Sequence, residues 1–453
     1  MKKYFPNSDF KVDTYFKKNS FIDQMNQSFK AGKNVYFNSA RILNNCSYAR
    51  KLKGAVSLKE IFARYWPKFK EMNYDKLGRY GLIDNIENFI SCKDFSKGYQ
   101  FFECTNCNNF ILVPFTCKSR FCPSCGNKYR DQRTEKISEV ILEIPHRQFV
   151  FTVPYELRIH FRHHREMLSF LFKAVNETFN IVLKSKAPLA YKSQQRRPGI
   201  ISFVHTFGRD LKWHPHIHAL VAEKYSDRDG NLHNFNYFHF DFIRRTFMFS
   251  LFSMIRNHYR TYYPKEFKKM CFLLKNLQKI YPYGFYVYGP QTKNSTLKTM
   301  KALTNYIVRY AAHPAISEKR ILNIDYETNR ITWFYDPHED DDIKDEEQKH
   351  GRQIIEEDVF EFIKKLIIHV PDKYFNQVRY YGFYARKSKF TKLIKQNCLF
   401  PVEELNRMLE NTRWINGLKN NYGYSPLLCF CGHQMVFNHN LSFFPKRRKR
   451  KYG

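Results

Sequence analysis

Three histidines stand on alternate positions in LKWHPHIHALVA, residues 211–222: His214, His216 and His218. Alternation by two is the period of a β-strand, so the three imidazoles leave one face of a sheet while Pro215, Ile217, Ala219 and Val221 leave the other. Neighbours on one strand face stand roughly 6.5–7 Å apart, close enough for two rings to lean together on one ion. The stretch just before, ISFVHTFGRD, carries His205 eleven positions ahead of His216. In an antiparallel hairpin turning around Asp210 and Leu211, His205 would lie opposite His216 with its side chain on the same face. A slip of one residue would turn it away. His205, His216 and His218 are therefore a candidate three-imidazole site with coordination positions left open, the mark of a catalytic rather than a structural metal. His214 is the rival third ligand, and a histidine-rich strand facing solvent or nucleic acid is the plain alternative.

Cysteines supply the second constellation. Five of the eleven fall between residues 104 and 125. In CTNCNNFILVPFTCKSRFCPSC, Cys104 and Cys107 form one CxxC, Cys122 and Cys125 another, with fourteen residues between the pairs. Four thiolates at about 2.3 Å satisfy a tetrahedral zinc ion completely, so this metal is expected to be structural. Spacing leaves Cys117 unassigned, and Cys92 could join it in a second site. Cys429 and Cys431, close to His433, make only a CxC, a weaker zinc signal. Such clustering points to metal ligation in a reducing compartment rather than to disulfides.

The elements that must hold these residues sit in a long, basic chain. Its 453 residues allow two or three domains, and 43% hydrophobic with 17% aromatic residues allow well-filled cores. A net charge of +34 favours a polyanionic partner, nucleic acid above all. The N-terminal residues show no apolar signal-peptide core, and no apolar run reaches the length of a membrane span. A cytoplasmic protein without a membrane partner is the expectation. Periodicity places helical patterns at 57–90, broken by Pro67, and at 156–185, and strands at 146–154, 200–207 and 214–222. The expected organisation is a basic arm or helical cap at 1–50, a zinc-binding DNA-recognition domain at 51–145 and a catalytic domain at 146–392. A helical insert at about 230–298 and an acidic loop at 338–352 interrupt the last, and a C-terminal region with a basic tail, KRRKRK, covers 393–453.

HPHIHALV resembles the histidine–hydrophobic–histidine motif of the HUH single-strand endonucleases. More narrowly, the chain resembles the rolling-circle transposases of the insertion-sequence family numbered ninety-one, relatives of the Helitrons. The likeness covers most of residues 57 to 435. It rests on CTNC…CKSRFCPSC, HRQFVFTVPYELR, VHTFGRDLKWHPHIHALV, YIVRYAAHPAISEKRI and HVPDKYFNQVRYYGFYARKSK, in that order. It implies an α/β (α+β) protein with an HUH endonuclease fold, a central antiparallel sheet flanked by helices, and an N-terminal zinc-binding domain. Two features depart from the family pattern: Arg209 stands where a glutamine is usual, and the C-terminal CxxC is shortened to Cys429-Phe430-Cys431.

The resemblance also implies tyrosine nucleophiles, matched here by Tyr306 and Tyr310 of YIVRY. The sequence has three tyrosine pairs at this spacing, the others being Tyr259 with Tyr263 and Tyr380 with Tyr384, so spacing alone does not select one. Around the middle pair, Met300, Leu303, Ile307 and Ala311 form a helical apolar stripe with both tyrosines along its edge. Arg309, Lys319 and Arg320 are candidate phosphate contacts. The implied activity is a DNA transposase that cuts and rejoins single-stranded DNA at element ends through 5′-phosphotyrosine intermediates. Three imidazoles suit zinc or manganese better than magnesium; the family implies magnesium or manganese at the HUH site, beside structural zinc. No GxxxxGK[ST] loop is present, which makes a host helicase an expected partner. A plasmid relaxase or rolling-circle replication initiator would use the same chemistry, and a non-catalytic zinc-finger DNA-binding protein is the reading from another class.

Overall fold

The computed structural model describes residues 56–337 apart from 108, 143, 187, 236–237, 290–296, 298 and 311–313, and then 351–385, 394, 427–429 and 431–444. The expected N-terminal arm, nearly all of the acidic loop and the basic tail lie outside the described residues.

Helices α1 (Leu58–Met72) and α2 (Leu82–Ile90) come first, then strands β1 (Tyr99–Cys104) and β2 (Phe110–Pro114) and helix α3 (Pro123–Ser138). Strand β3 (His146–Thr152), helices α4 (Tyr155–His163) and α5 (Leu168–Lys186), and strands β4 (Arg197–Phe207), β5 (Trp213–Ser226) and β6 (Leu232–Asn234) follow. Helices α6 (Phe240–Tyr262) and α7 (Phe267–Ile280) lead to strand β7 (Val287–Tyr288) and helix α8 (Met300–Tyr310). Strands β8 (Ile321–Asp325), β9 (Arg330–Tyr335) and β10 (Gln353–Asp358) precede helix α9 (Val359–Ile367), and strands β11 (Val378–Gly382) and β12 (Met435–Phe443) come last. Pro67 does not break α1. The backbone bond it removes is outweighed by burial of Ile61, Phe62, Tyr65, Trp66 and Phe69 along one face.

A six-stranded antiparallel sheet forms the centre, in the order β11-β4-β5-β3-β7 with β6 beside β5. Alternation sorts its residues onto two cores. Ile217, Ala219 and Val221 of β5, with Ile200 and Val204 of β4, pack against the apolar faces of α5, α6 and α7. Leu220 and Ala222, with Ile201 and Phe203, face a second core that contains Leu303, Tyr306 and Ile307 of α8. Helices therefore cover both faces of the sheet, as the α/β reading requires, and β5 is apolar on both.

The cysteine-bearing segment does not close on itself. Helices α1 and α2 and the start of α3 share one apolar core with β8, β9 and α9, through Phe62, Phe89, Ile331, Trp333 and Phe362, so this core runs across the boundary expected near residue 145. Strand β12 pairs antiparallel with β1, which places residues 435–443 in the sheet of the β1–β2 hairpin.

Candidate metal and nucleophile centre

The β4–β5 hairpin has the register that sets His205 directly opposite His216. On the shared face, His205, His216 and His218 come together with their ligand atoms within 4.8 Å of one another. His216 donates from Nδ1 to the His214 carbonyl oxygen at 2.8 Å. A carbonyl only accepts, so that bond fixes the tautomer and leaves the lone pair of His216 on Nε2. Nε2 of His216 and Nε2 of His218 approach to 3.1 Å. Burial pushes the His216 imidazole down to about 3 and holds His218 well below the ordinary histidine value, with neighbouring histidines adding to both shifts. Both rings are therefore neutral near pH 7, the state a metal ligand needs. His218 Nδ1 is buried without a hydrogen-bond partner among the described residues.

His214 is kept out of this cluster. Arg158 of α4 donates to its Nε2 at 3.1 Å, which occupies that lone pair. Desolvation, and then the charge of Arg158, hold the His214 ring down to about 4.

The turn that sets the register is fastened from outside the hairpin. Leu211 is buried, with φ of 63°, a left-handed conformation costly for a leucine. Its carbonyl accepts from Nε2 of His369 at 2.9 Å, and Nδ1 of His369 accepts from the Thr206 hydroxyl at 3.1 Å. Burial drives His369 down to about 3, so it stays neutral and serves both bonds. Its HVP context gives no period or charge that would single it out, and sequence reasoning assigned it no role. Arg209 donates to the Asp336 carbonyl at 2.8 Å, while Arg320 donates to the carbonyls of Phe334, at 2.8 Å, and Arg209. The Arg320 guanidinium also lies 5.3 Å from the Trp333 ring centre. Of the expected phosphate contacts, Arg320 is thus engaged in bracing the turn, Lys319 is exposed, and the Arg309 side chain lies outside the described residues.

Helix α8 crosses the histidine face and treats its two tyrosines differently. The Tyr310 ring stacks on His218 with centroids 4.0 Å apart, and its carbonyl accepts from Nε2 of His205 at 2.9 Å. Tyr306, one turn earlier, is 6% exposed, and its hydroxyl is buried with no partner among the described residues. Desolvation raises that phenol well above 10. The two rings lie 4.6 Å apart. In the rival pairs, Tyr259 and Tyr384 are core residues whose hydroxyls meet His160 at 2.9 Å and His146 at 2.6 Å.

The cysteines correct one expectation. Cys104, Cys107, Cys122 and Cys125 do not form one quartet; they divide between Cys92–Cys117–Cys122–Cys125 and Cys104–Cys107–Cys429–Cys431. The β1–β2 hairpin carries Cys104 and Cys107 away from the start of α3, and the β12–β1 pairing brings Cys429 and Cys431 to them. Sulfur contacts of 3.5 to 3.8 Å in the first cluster and 3.4 Å in the second approach the edge of about 3.8 Å that four 2.3 Å zinc–sulfur bonds require. Each cluster is a closed set of four soft donors, which suits structural zinc. Of the nine described cysteines only Cys271 stands outside them. The unplaced Cys117 and Cys92, and the short CxC, were the available signals; what they lacked was a pairing rule.

Two family models match the chain. One describes a "Transposase zinc-binding domain" of IS91 type and covers residues 61–153; the other is described as "Putative transposase" and covers residues 199–391. The transposase for insertion sequence element IS801 of Pseudomonas savastanoi pv. phaseolicola is 26% identical over 320 residues, 67% of this chain and 70% of that protein. Putative transposase y4qJ of Sinorhizobium fredii (strain NBRC 101917 / NGR234) is 24% identical over 352 residues, 74% of this chain and 81% of the relative. No solved structure matches. The two family matches, the relatives and the cysteine clusters together point to a transposase with a zinc-binding domain. Both matched parts of the chain are of transposase type, the zinc-binding part of IS91 type. No helix among the described residues is long and apolar enough to cross a membrane.

Proposed function

We propose that this protein cuts and rejoins single-stranded DNA at the ends of its own element, as a rolling-circle transposase whose nucleophiles are Tyr310 first and Tyr306 second. The supporting observation is the stacking of Tyr310 on His218, which puts one phenol beside three convergent imidazoles while Tyr306 lies buried. When held by His205, His216 and His218, a manganese or magnesium ion supplies Lewis-acid polarisation of the scissile phosphate.

The remaining chemistry belongs to the chain. The Tyr310 phenol oxygen forms a bond to phosphorus, the bond from phosphorus to the 3′ oxygen breaks, and the phenolic proton is lost as the leaving oxygen gains one. The protein keeps the 5′ phosphate as a phosphotyrosine, so the strand can be resealed without another energy source. Tyr306 lies one helical turn from Tyr310, about 6 Å. Rotation of α8 would uncover it for a second strand while Tyr310 is occupied. In this reading residues 51–145 supply the zinc-bearing DNA-recognition part and residues 146–392 the nuclease, acting in the cytoplasm on strands opened by a host helicase. Arg309 and Lys319 would contact phosphate.

The test incubates purified protein with labelled single-stranded element ends and Mn2+, then resolves covalent adducts under denaturing conditions. Tyr310→Phe should reduce first-strand adduct at least a hundredfold. Tyr306→Phe should leave the first adduct within a fewfold and lose two-strand transfer. A double variant that still forms adduct would refute the assignment, and equal loss in the two single variants would refute the order.

A further inference from the structure

Away from the strand histidines, a second group of ligand-type side chains meets where α4 ends. His164 caps that helix, Glu166 follows in the short turn Arg165–Met167, and His258 comes from the last turns of α6. Their ligand atoms all lie within 4.8 Å of one another. Nε2 of His258 stands 3.2 Å from Oε1 of Glu166, and Nδ1 of His164 stands 3.9 Å from the same oxygen. His258 is buried, and its Nε2 is a buried atom with no hydrogen-bond partner among the described residues, despite the carboxylate beside it. A buried ring nitrogen left in this state is costly unless something unseen satisfies it. Aromatic rings wall the group: Tyr263 lies 4.3 Å from His164, and Tyr262 and Phe170 lie 5.0 and 5.3 Å from His258, centre to centre.

We propose that His164, Glu166 and His258 form a further metal site, which takes zinc or a similar borderline transition metal and clasps the corner after α4 to α6. Two imidazoles and one carboxylate are a donor set such metals favour, and one that hard Mg2+ does not. Bonds of 2.0–2.2 Å in a tetrahedron require ligand atoms about 3.3–3.6 Å apart, so the observed 3.2 and 3.9 Å need only small side-chain shifts. The Glu166 side chain is 54% exposed, which leaves the metal a route to solvent and a position for water.

The corner matters because its middle residue faces the other way. Arg165, between two ligands, lies 4.9 Å from the Trp213 ring centre and binds Asp372 at 2.9 Å and the Ile368 carbonyl at 2.8 Å. Trp213 begins β5 and donates to the Arg158 carbonyl at 2.9 Å. A metal here would stiffen the support of the histidine strand without touching DNA.

The test uses the full chain with both cysteine clusters loaded with zinc. A His216→Ala, His218→Ala background removes uptake at the strand site. Into that background go Glu166→Gln and, separately, His258→Ala, and each protein is titrated with ZnCl2 while bound zinc per chain and Tm are read. The background should take up one zinc more than either variant, with a rise in Tm that the variants lack. Equal uptake and equal Tm profiles in all three would overturn the proposal. Glu166→Gln changes a half-exposed group, so it decides the matter even if His258→Ala folds poorly.

Discussion

Acidification should loosen this protein through buried histidines that lie outside the candidate metal clusters. His369 is held down to about 3 and His146 to about 4, each chiefly by burial. In the unfolded chain both return to about 6.5. Between those values the unfolded chain binds protons that the folded chain refuses, so stability is complete above pH 6.5 and is lost as pH falls. At pH 5 the loss is about 2 kcal/mol for each ring, or about 4 kcal/mol for the pair. That is a large part of an ordinary domain's stability. Urea unfolding at pH 8 and pH 5, followed by tryptophan fluorescence and by circular dichroism, measures the difference. His369→Gln keeps an amide able to donate to Leu211 and accept from Thr206, and it does not titrate. It should remove about half of the pair's pH-dependent loss, or about 2 kcal/mol. An acid-induced loss of the same size in wild type and variant would show that His369 titrates freely, and the account of the buried turn would fail.

Two further outcomes follow from the same geometry. Cys429→Ser should lower zinc by one ion per chain in metal analysis and shift unfolding of the β1–β2–β12 sheet to lower temperature, while Cys271→Ser changes neither. Arg320→Lys should weaken the hairpin brace by about 1–2 kcal/mol, because lysine cannot serve two carbonyls and stack on Trp333 at once. In Arg320→Gln, which removes the charge, the salt dependence of DNA binding read by fluorescence anisotropy should match wild type; a slope smaller by about one unit would make Arg320 a phosphate contact after all.

The histidine face was legible because strand alternation is a local rule. His205 could be counted onto it from the position of the turn, and the β4–β5 pairing has that register. The exclusion of His214 was not legible, since it depends on Arg158, a residue of a different element. The cysteine division failed for the same reason. Neighbouring CxxC pairs look like one site, and only the pairing of β12 with β1, far apart in sequence, reveals two. Tyr306 and Tyr310 read as equals on a helix edge; the difference between them is the depth of the cover α8 provides, which spacing does not encode.

The pairing of β1 with β12 also has a consequence for synthesis. Cys104 leaves the ribosome more than three hundred residues before Met435, a delay of about 17–66 s at ordinary rates of elongation. Through that interval β1 has an open edge and Cys104 and Cys107 lack half of their cluster. A chain interrupted after the tyrosine helix would carry every residue of the proposed nuclease centre yet could not finish its first sheet. Completion of that sheet thus waits for the C-terminal strand, and a half-made chain would lack one of its two closed cysteine clusters.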